Sequence, residues 1–600
     1  MKKSVFIFFG CACLLAFIAG CGKEPDNGND KPIINYFDAN SDGTATIRIY
    51  KNDKEKDLKN RYIPSSKVNL KHTYTELSGA LSNNRSVCPS TGVVNLLVIP
   101  VHIPGDEAFK TDKVKEDIET MFFSENSKKM GYKSVKEYYY ESSYGKLNFG
   151  GKVTDWFDVS LAGFNSAEDV IKNGGGSHNS IKTILDKACE WAIKEQKLDL
   201  QEFDKNRDGL IDAVWLVYDH LDFTTEDKYI ATGFNGYEGN LNNLDSNTFW
   251  NFTGWDYTLA AADYSKDKTA QPAPSAFSWS SFSMMYTSYC DMVKKEVTYP
   301  GLGNSIIEVP SWDDETPVDS HTFIHETGHL LGLNDLYATD NTNYRPAGQK
   351  TMMDQNIGDL DSYSKLLLGW VTPYVVYGSS EIVIAKETTN DRSVIVIPYN
   401  YEEISKQVER TKDVDNFQYS FNPFSEYLLI DLYTPDGLNE LDKDKPINSR
   451  IDMPMMSSSG VRIYHIDSRI FKCTVVEGSG EEGDEGQTFI YDADPTWNGD
   501  YANVGINQAI LMPISNNYQI SPAFQLDDSY SYFDECRLLE ASGLNTFSSG
   551  EAATNTTLWN TNSNDFEIDN FGLSFFNAKY TFNHGEECPF KIGVITLRGI

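Results

Sequence analysis

The spacing of hydrophobic and polar residues changes along this 600-residue chain. Between about residues 88 and 375, the short apolar runs at 96–100 and 213–218 are typical of buried strands. Residues 180–196 instead carry apolar side chains at helical spacing. Because strands and helices alternate in this part of the chain, the pattern predicts a mixed α/β (α+β) domain over residues 88–375.

The pattern beyond residue 375 is dominated by strands. Apolar runs separated by turn residues occur at 393–398, 427–433, 461–466 and 591–597. They predict a β-rich C-terminal domain over residues 376–600, so the expected fold is multidomain.

The segment 21–87 is mostly polar. Its acidic, Gly- and Asn-rich beginning, 22–30, is typical of a flexible tether. The one clearly strand-like run is 44–50, and a small β module and a propeptide-like segment explain it equally well.

The first twenty residues have the features of a signal peptide. Two lysines precede an apolar stretch at 5–19 that is too short to span a membrane. Residues 18–21, Ile-Ala-Gly-Cys, resemble a bacterial lipobox, in which Cys21 would be lipidated; a plain secretory signal with an unmodified Cys21 is the alternative. We therefore predict a signal peptide over 1–20 and an extracytoplasmic protein anchored by lipid in the bacterial cell envelope, either periplasmic or at the cell surface, from which it could be released.

Charge, composition and length limit which partners and how many domains the chain can have. The chain has 52 Lys and Arg against 87 Asp and Glu, a net charge of −35, which excludes nucleic acid because phosphates require a basic surface. A content of 40% hydrophobic and 23% charged residues indicates a soluble globular body. Six hundred residues exceed what one core usually organises, so two or more domains are expected. The acidic balance also favours bound calcium.

One short segment carries the pattern of a catalytic zinc site, His325-Glu326-x-x-His329-x-x-Gly332-x-x-Asp335. Positions i and i+4 lie on one face of a helix, so the two imidazoles can bind a single ion. The glycine can adopt positive φ and turn the chain back, which brings the aspartate in as a third ligand. Three protein ligands leave the fourth position to water, as in catalytic zinc sites, and the glutamate beside them is suited to act as a general base.

The alternative is ordinary packing, because two histidines on one helix are often core or surface residues. Glycine and aspartate at their fixed offsets make a chance match rare. His321 lies one turn before His325, but a fourth protein ligand would close the position that water needs. We therefore expect His321 to be a supporting or surface residue.

A second metal is suggested by a run of oxygen donors at alternate positions, Asp204, Asn206, Asp208, Leu210 (through its carbonyl) and Asp212. A glycine follows the third donor, as in calcium loops. The bidentate glutamate of an EF-hand is missing, so the sequence predicts a possible calcium site that is not an EF-hand. A turn held by side-chain-to-backbone hydrogen bonds is the alternative.

Six cysteines remain after the signal peptide and Cys21, at 88, 189, 290, 473, 536 and 588. An oxidising location would allow up to three disulfides, and the sequence does not choose among the pairings. Cys189 lies among apolar residues at helical spacing and is expected to be a buried free thiol. Cys88 could ligate zinc in a latent form, although the surrounding motif of such a switch is missing.

The zinc motif and several flanking stretches together resemble the immune inhibitor A family of secreted bacterial zinc metalloproteases, which are metzincin-like. The stretches at 94–102, 138–149, 351–354, 426–430 and 460–467 agree with that family, so the resemblance covers about residues 90–470. The resemblance implies a methionine floor beneath the metal, formed by Met353 rather than Met352. Some metzincins have a tyrosine two residues after the methionine, where this chain has Gln355, and the group that stabilises an oxyanion stays open.

These observations favour a lipid-anchored zinc endopeptidase that hydrolyses proteins or peptides, with Glu326 as general base. Two alternatives remain. One is a non-catalytic surface-binding lipoprotein that retains the scaffold, and the other is a zinc-dependent esterase or deacetylase that shares the same water chemistry.

Overall fold

The computed structural model of the protein describes residues 43–51, 60–68, 88–107, 109–172, 177–222, 248–255, 271–299, 303–338, 344–385, 393–411, 423–443, 456–468, 470–476, 488–491, 510–513, 515–516, 534–544, 546–561, 581–583 and 585–598. The predicted signal peptide, Cys21 and the 22–30 tether lie outside these residues. Residues 34–600 form one compact unit. Among the described residues, no helix combines the length and apolar character needed to cross a membrane.

The described α-helices are α1 (Asp112–Phe123), α2 (Val135–Ser142), α3 (Ala167–Lys172), α4 (Ser177–Lys194), α5 (His321–Leu330), α6 (Met352–Gln355), α7 (Ser362–Leu367) and α8 (Tyr401–Thr411). Local sequence signals set several of their ends. The Thr111 side chain accepts a hydrogen bond from the Val114 N–H at the start of α1. Ser134 and Glu137 form a reciprocal capping box at the start of α2. The helix predicted at 180–196 is confirmed as α4, which begins three residues earlier.

The described strands are β1 (Thr44–Tyr50), β2 (Tyr62–Ile63), β3 (Gly92–His102), β4 (Leu147–Val153), β5 (Phe157–Asp158), β6 (Val214–Tyr218), β7 (Phe252–Trp255), β8 (Ala276–Ser281), β9 (Asp291–Tyr299), β10 (Gly303–Ser311), β11 (Thr372–Val376), β12 (Ser380–Ala385), β13 (Ser393–Pro398), β14 (Glu426–Tyr433), β15 (Gly460–Asp467), β16 (Ile470–Val476), β17 (Thr488–Tyr491), β18 (Ile510–Pro513), β19 (Cys536–Leu538) and β20 (Lys591–Arg598).

The first sheet lies in the part predicted to be mixed α/β. Its order is β4-β3-β6-β8-β7, with β5 paired to β3. Strand β3 is parallel to β4 and β6, and β6 is parallel to β8, whereas the edge strand β7 is antiparallel to β8. The apolar runs predicted at 96–100 and 213–218 fall on β3 and β6.

Both faces of the first sheet are covered, as the continuous apolar character of its strands predicts. Trp215 and Val217 of β6 belong to one buried cluster together with Phe323 of α5. Their neighbour Leu216 belongs to a second cluster with Ile184 of α4. Since alternate side chains of a strand point to opposite faces, α5 lies on one face of the sheet and α4 on the other.

The second sheet has the order β19-β15-β14-β13-β11-β2, and a third has the order β12-β1-β20. The strands predicted after residue 375 are therefore confirmed, and with them the mixed α/β fold class with a β-rich C-terminal region. Strand β1 does not form a module of its own, because it pairs with β12 on one side and β20 on the other.

The buried core crosses the predicted boundary at residue 375. One hydrophobic cluster contains Val98 and Phe323 together with Tyr464 and Leu558. The sheet of the β-rich region therefore packs directly against the elements around α5. The division into separate domains stays a prediction.

A buried ion pair within the β-rich region also contacts the α/β part. Asp431 of β14 accepts hydrogen bonds from Arg462 Nε at 2.9 Å and Arg462 Nη2 at 2.6 Å, and from the Ser362 hydroxyl of α7. The Arg462 and Asp431 side chains are only 5% and 3% exposed. Removal of one partner would leave the other charge buried without compensation.

Arg462→Met should therefore lower the free energy of unfolding by about 3–5 kcal/mol. The matched control is Arg48→Met, because Arg48 forms a similar pair with Glu381 whose side chains are 42% and 20% exposed. That change should cost less than about 1 kcal/mol. Chemical denaturation of both variants measures the difference, and equal losses would contradict the importance of the buried pair.

Candidate metal centre and catalytic site

Helix α5 carries the two histidines of the motif. They lie one turn apart with ring centroids at 4.8 Å and ring planes at 87°. The helix ends at Leu330, and Gly332 has φ +96°, a left-handed conformation that L side chains rarely adopt. The Leu333 N–H then bonds the Gly328 carbonyl at 3.0 Å, which closes the helix end and turns the chain back. The predicted break at the glycine is thus present.

The turn brings Asp335 to both imidazoles. Its Oδ1 lies 3.0 Å from His325 Nε2 and 3.2 Å from His329 Nε2. Within the described ranges, these three residues form the one group of three or more His, Cys, Asp or Glu whose ligand atoms are close enough to share an ion, all within 4.8 Å of one another. Cys88, which we considered as a latent-state ligand, is not part of this group; its thiol is buried and free.

Backbone carbonyls fix the orientation of both rings. His325 Nδ1 donates to the Met352 carbonyl at 2.8 Å, and His329 Nδ1 donates to the Leu333 carbonyl at 2.8 Å. With Nδ1 occupied as a donor, each neutral ring presents the lone pair of Nε2 to the centre. The donor set of two imidazoles and one carboxylate therefore fits zinc.

Attraction between the imidazoles and the Asp335 carboxylate has the larger effect on the pKa values of His329 and Asp335. Burial alone would lower the pKa of His329, but the Asp335 carboxylate outweighs it and raises that pKa to about 9. Burial would raise the pKa of Asp335, yet His329 and His325 hold it well below its usual range. The carboxylate is thus ionised, as a metal ligand must be, and zinc would displace the proton that this attraction favours on His329 Nε2.

Glu326, the predicted base, lies beside the ligands and is 6% exposed. Its carboxylate accepts a hydrogen bond from the Thr253 hydroxyl of β7, with Oγ1 2.8 Å from Oε2. No sequence pattern predicts this contact, because the two residues are 73 positions apart and meet only when α5 packs against the edge of the first sheet.

Met353 lies directly beneath α5. A Cβ added at Gly328 would be 2.5 Å from Met353 Sδ, so the thioether packs against the helix backbone between the two histidines. Met352 contributes its backbone carbonyl to His325 instead. This arrangement agrees with the choice of Met353 as the floor; its role there stays a prediction.

A tyrosine also reaches the centre, from an unexpected position. Burial, and after it the charge of the hydrogen-bonded Asp335, raises the pKa of the Tyr337 hydroxyl far above its usual value. Tyr337 follows the third ligand by two residues, whereas the motif of some metzincins led us to look two residues after the methionine, at Gln355.

His321 is a supporting residue rather than a surface one. It is 5% exposed and stacks on Tyr132 with ring centroids at 4.2 Å. Its Nδ1 lies 2.6 Å from Asp319 Oδ1 and its Nε2 3.4 Å from Asp442 Oδ2. Burial would lower the pKa of His321, but Asp319 and then Asp442 raise it to about 10. These contacts fix the first residue of α5.

The predicted calcium loop is held by hydrogen bonds from its own backbone. The Asp204 carboxylate accepts from the Asp208 and Gly209 N–H groups, Asp208 Oδ1 accepts from the Leu210 N–H, and Asp212 Oδ2 accepts from the Lys205 N–H. Asn206 Oδ1 accepts from the Asp208 N–H. Among the described residues, the loop does not form a group with convergent ligand atoms. Asp212 is nonetheless fully buried, and its Oδ1 has no hydrogen-bond partner.

Among the described residues, Cys88, Cys189 and Cys536 are buried free thiols. Cys189 is buried in α4, which confirms its prediction. Cys473 lies on β16, and nothing is described of its side chain.

Gly328→Ala should test the contact between α5 and Met353. The new methyl group overlaps Met353 Sδ, and overpacking of a buried site costs about 1–3 kcal/mol of unfolding free energy. In a Met353→Ala background the same change should be neutral or stabilising, because alanine is a better helix former than glycine. Chemical denaturation of the wild type, the two single variants and the double variant measures the cost of Gly328→Ala in each background. An equal cost in the two backgrounds would contradict the contact.

Comparison with known proteins places this site in context. The family model described as immune inhibitor A peptidase M6, catalytic domain, matches residues 100–221, and no curated protein matches the chain. The matched segment begins near the end of β3, finishes just after β6 and stops before α5, but residues of the segment and of α5 share one hydrophobic cluster. This segment of the chain is therefore similar to the catalytic domain of the immune inhibitor A metallopeptidases, which confirms the resemblance inferred from the motifs.

Proposed function

We propose that this chain is a zinc-dependent endopeptidase, held at the extracytoplasmic face of a bacterial membrane by a lipid on Cys21. The observation that carries the catalytic part is the convergence of His325 Nε2, His329 Nε2 and Asp335 Oδ1 within 4.8 Å, with Glu326 as their neighbour. Support for the peptidase part comes from the family match. Support for the lipid anchor is the lipobox-like sequence that ends at Cys21.

Zinc held by these three residues would act as a Lewis acid toward a peptide carbonyl and would acidify a water molecule. The protein would supply the remaining steps. The Glu326 carboxylate would accept a proton from the attacking water and deliver it to the departing amine. The His325 and His329 rings, fixed through Nδ1, would keep their Nε2 atoms in place without reorganisation.

Glu326→Gln is the direct test of this proposal. It should lower kcat by about a hundredfold to ten-thousandfold, since a general base contributes that much, while the zinc content stays at one per chain. Glu190→Gln, an exposed glutamate of α4, is the control and should keep full activity. The measurements are peptide-library hydrolysis and elemental analysis of the purified mature protein.

Two results would overturn the proposal. Zinc-loaded protein that cleaves no peptide and is unaffected by Glu326→Gln would instead support a binding lipoprotein on a metallopeptidase scaffold. Cleavage of esters or N-acetyl groups, with no cleavage of peptides in the same panel, would support a zinc-dependent esterase or deacetylase.

We propose in addition that the 204–212 loop binds calcium. The loop contains three aspartates and one asparagine, and the buried Asp212 Oδ1 lacks a hydrogen-bond partner within the described structure. The backbone hydrogen bonds of Asp204 and Asp208 support the loop's shape whether or not an ion is bound.

Calcium should therefore raise the melting temperature of zinc-loaded protein. At a hundredfold excess over Kd the expected stabilisation is about 2.7 kcal/mol. Asp208→Asn should reduce this response, whereas Asp291→Asn, an exposed aspartate outside the loop, should leave it unchanged. If calcium leaves the melting temperature of the zinc-loaded protein unchanged, the proposed calcium site is wrong.

A further inference from the structure

Thr253 occupies a central position on β7, the antiparallel edge strand of the first sheet. Its register partner on β8 is Ser278. Helix α5 packs against both strands, so the Thr253 side chain lies between the sheet and the helix that carries Glu326. The residue is partly buried, whereas Ser278 is fully buried.

Two hydroxyl groups and one carboxylate form a chain of hydrogen bonds at this contact. Ser278 Oγ and Thr253 Oγ1 are 2.7 Å apart, and Thr253 Oγ1 is 2.8 Å from Glu326 Oε2. A carboxylate can only accept, so the single Thr253 proton points to Glu326. The Ser278 hydroxyl must then donate to Thr253. The chain therefore has one direction, from the sheet toward the carboxylate.

The two carboxylate oxygens of Glu326 therefore differ in their hydrogen bonding. Oε2 is held by Thr253, and no described residue donates a hydrogen bond to Oε1. A carboxylate that must collect a proton from water needs one oxygen available and a fixed orientation for it. Hydrogen bonds to an ionised acceptor are roughly twice as strong as those between neutral groups, which suits this contact to fix a side chain.

We propose that Thr253 is a positioning residue for the Glu326 base, and that Ser278 orients Thr253 in turn. The inference rests on the proposed function, because Glu326 acts as a base only in that reaction. It assigns the Oε2 oxygen to the protein and the Oε1 oxygen to the water, so each proton transfer takes place at Oε1.

A competing explanation is that Thr253 merely fastens the helix to the sheet. Its Oγ1 also lies 3.0 Å from the Glu326 backbone carbonyl, which would be a structural contact. The two explanations predict different effects when the Thr253 hydroxyl is removed. Loss of a fastening lowers stability and zinc retention, whereas loss of carboxylate orientation lowers kcat alone.

The test compares four variants of the zinc-loaded protein with wild type. Thr253→Val keeps the shape and removes the hydroxyl, and we expect kcat to fall about tenfold to hundredfold with unchanged KM and zinc content. Thr253→Ser restores the donor and should recover most of kcat. Ser278→Ala should give a smaller loss. The control is Ser280→Ala on the same strand, whose hydroxyl bonds Asn251 rather than Thr253, and it should retain kcat.

Crystal structures of the zinc-loaded wild type, Thr253→Val and Ser280→Ala proteins give a second measurement that does not depend on activity. The Glu326 side chain should leave its wild-type orientation in Thr253→Val and keep it in Ser280→Ala. If no peptide is cleaved by wild type, the proposed function fails, and these structures still decide the positioning role. An unmoved Glu326, an undiminished kcat in Thr253→Val, or equal losses in Thr253→Val and Thr253→Ser would overturn the inference.

Discussion

The approach of two imidazoles to one carboxylate oxygen is the interaction on which the rest of the site depends. Asp335 Oδ1 lies 3.0 and 3.2 Å from the Nε2 atoms of His325 and His329. Such a cluster of polar groups in a buried place is costly unless each group is paired. The surrounding structure supplies that pairing, with backbone carbonyls on both Nδ1 atoms and a threonine hydroxyl on the neighbouring glutamate.

The elements that supply these partners come from distant parts of the chain. Edge strand β7 provides Thr253, the segment at α6 provides the Met352 carbonyl and the Met353 side chain, and the region after β14 provides Asp442 to His321. Helix α5 is thereby fixed from the sheet side, from beneath and at its first residue. Fixed surroundings of this kind hold catalytic groups close to their working geometry.

The relation between the α/β part and the β-rich part follows from the same packing. The shared hydrophobic cluster and the Arg462–Asp431–Ser362 contacts bury residues of both parts together. The apolar runs beyond residue 375 predicted which elements are strands but carried no information about how the strands would pack. Strand β1 is a further example, because its alternating pattern predicts a strand and leaves its partners, β12 and β20, undefined.

The sequence by itself determined the features that depend on local geometry. A spacing of four residues puts His325 and His329 on one helix face, and a glycine three residues later permits the turn that returns Asp335 to them. Apolar runs likewise predicted β3, β6 and the later strands. Only the tertiary structure decided that Thr253 meets Glu326, that Tyr337 bonds Asp335, and that Asp442 reaches His321. The contacts of Thr253 and Asp442 join residues 73 and 121 positions apart, and they are set by how a helix packs against a sheet edge and a distant loop, which no local periodicity encodes.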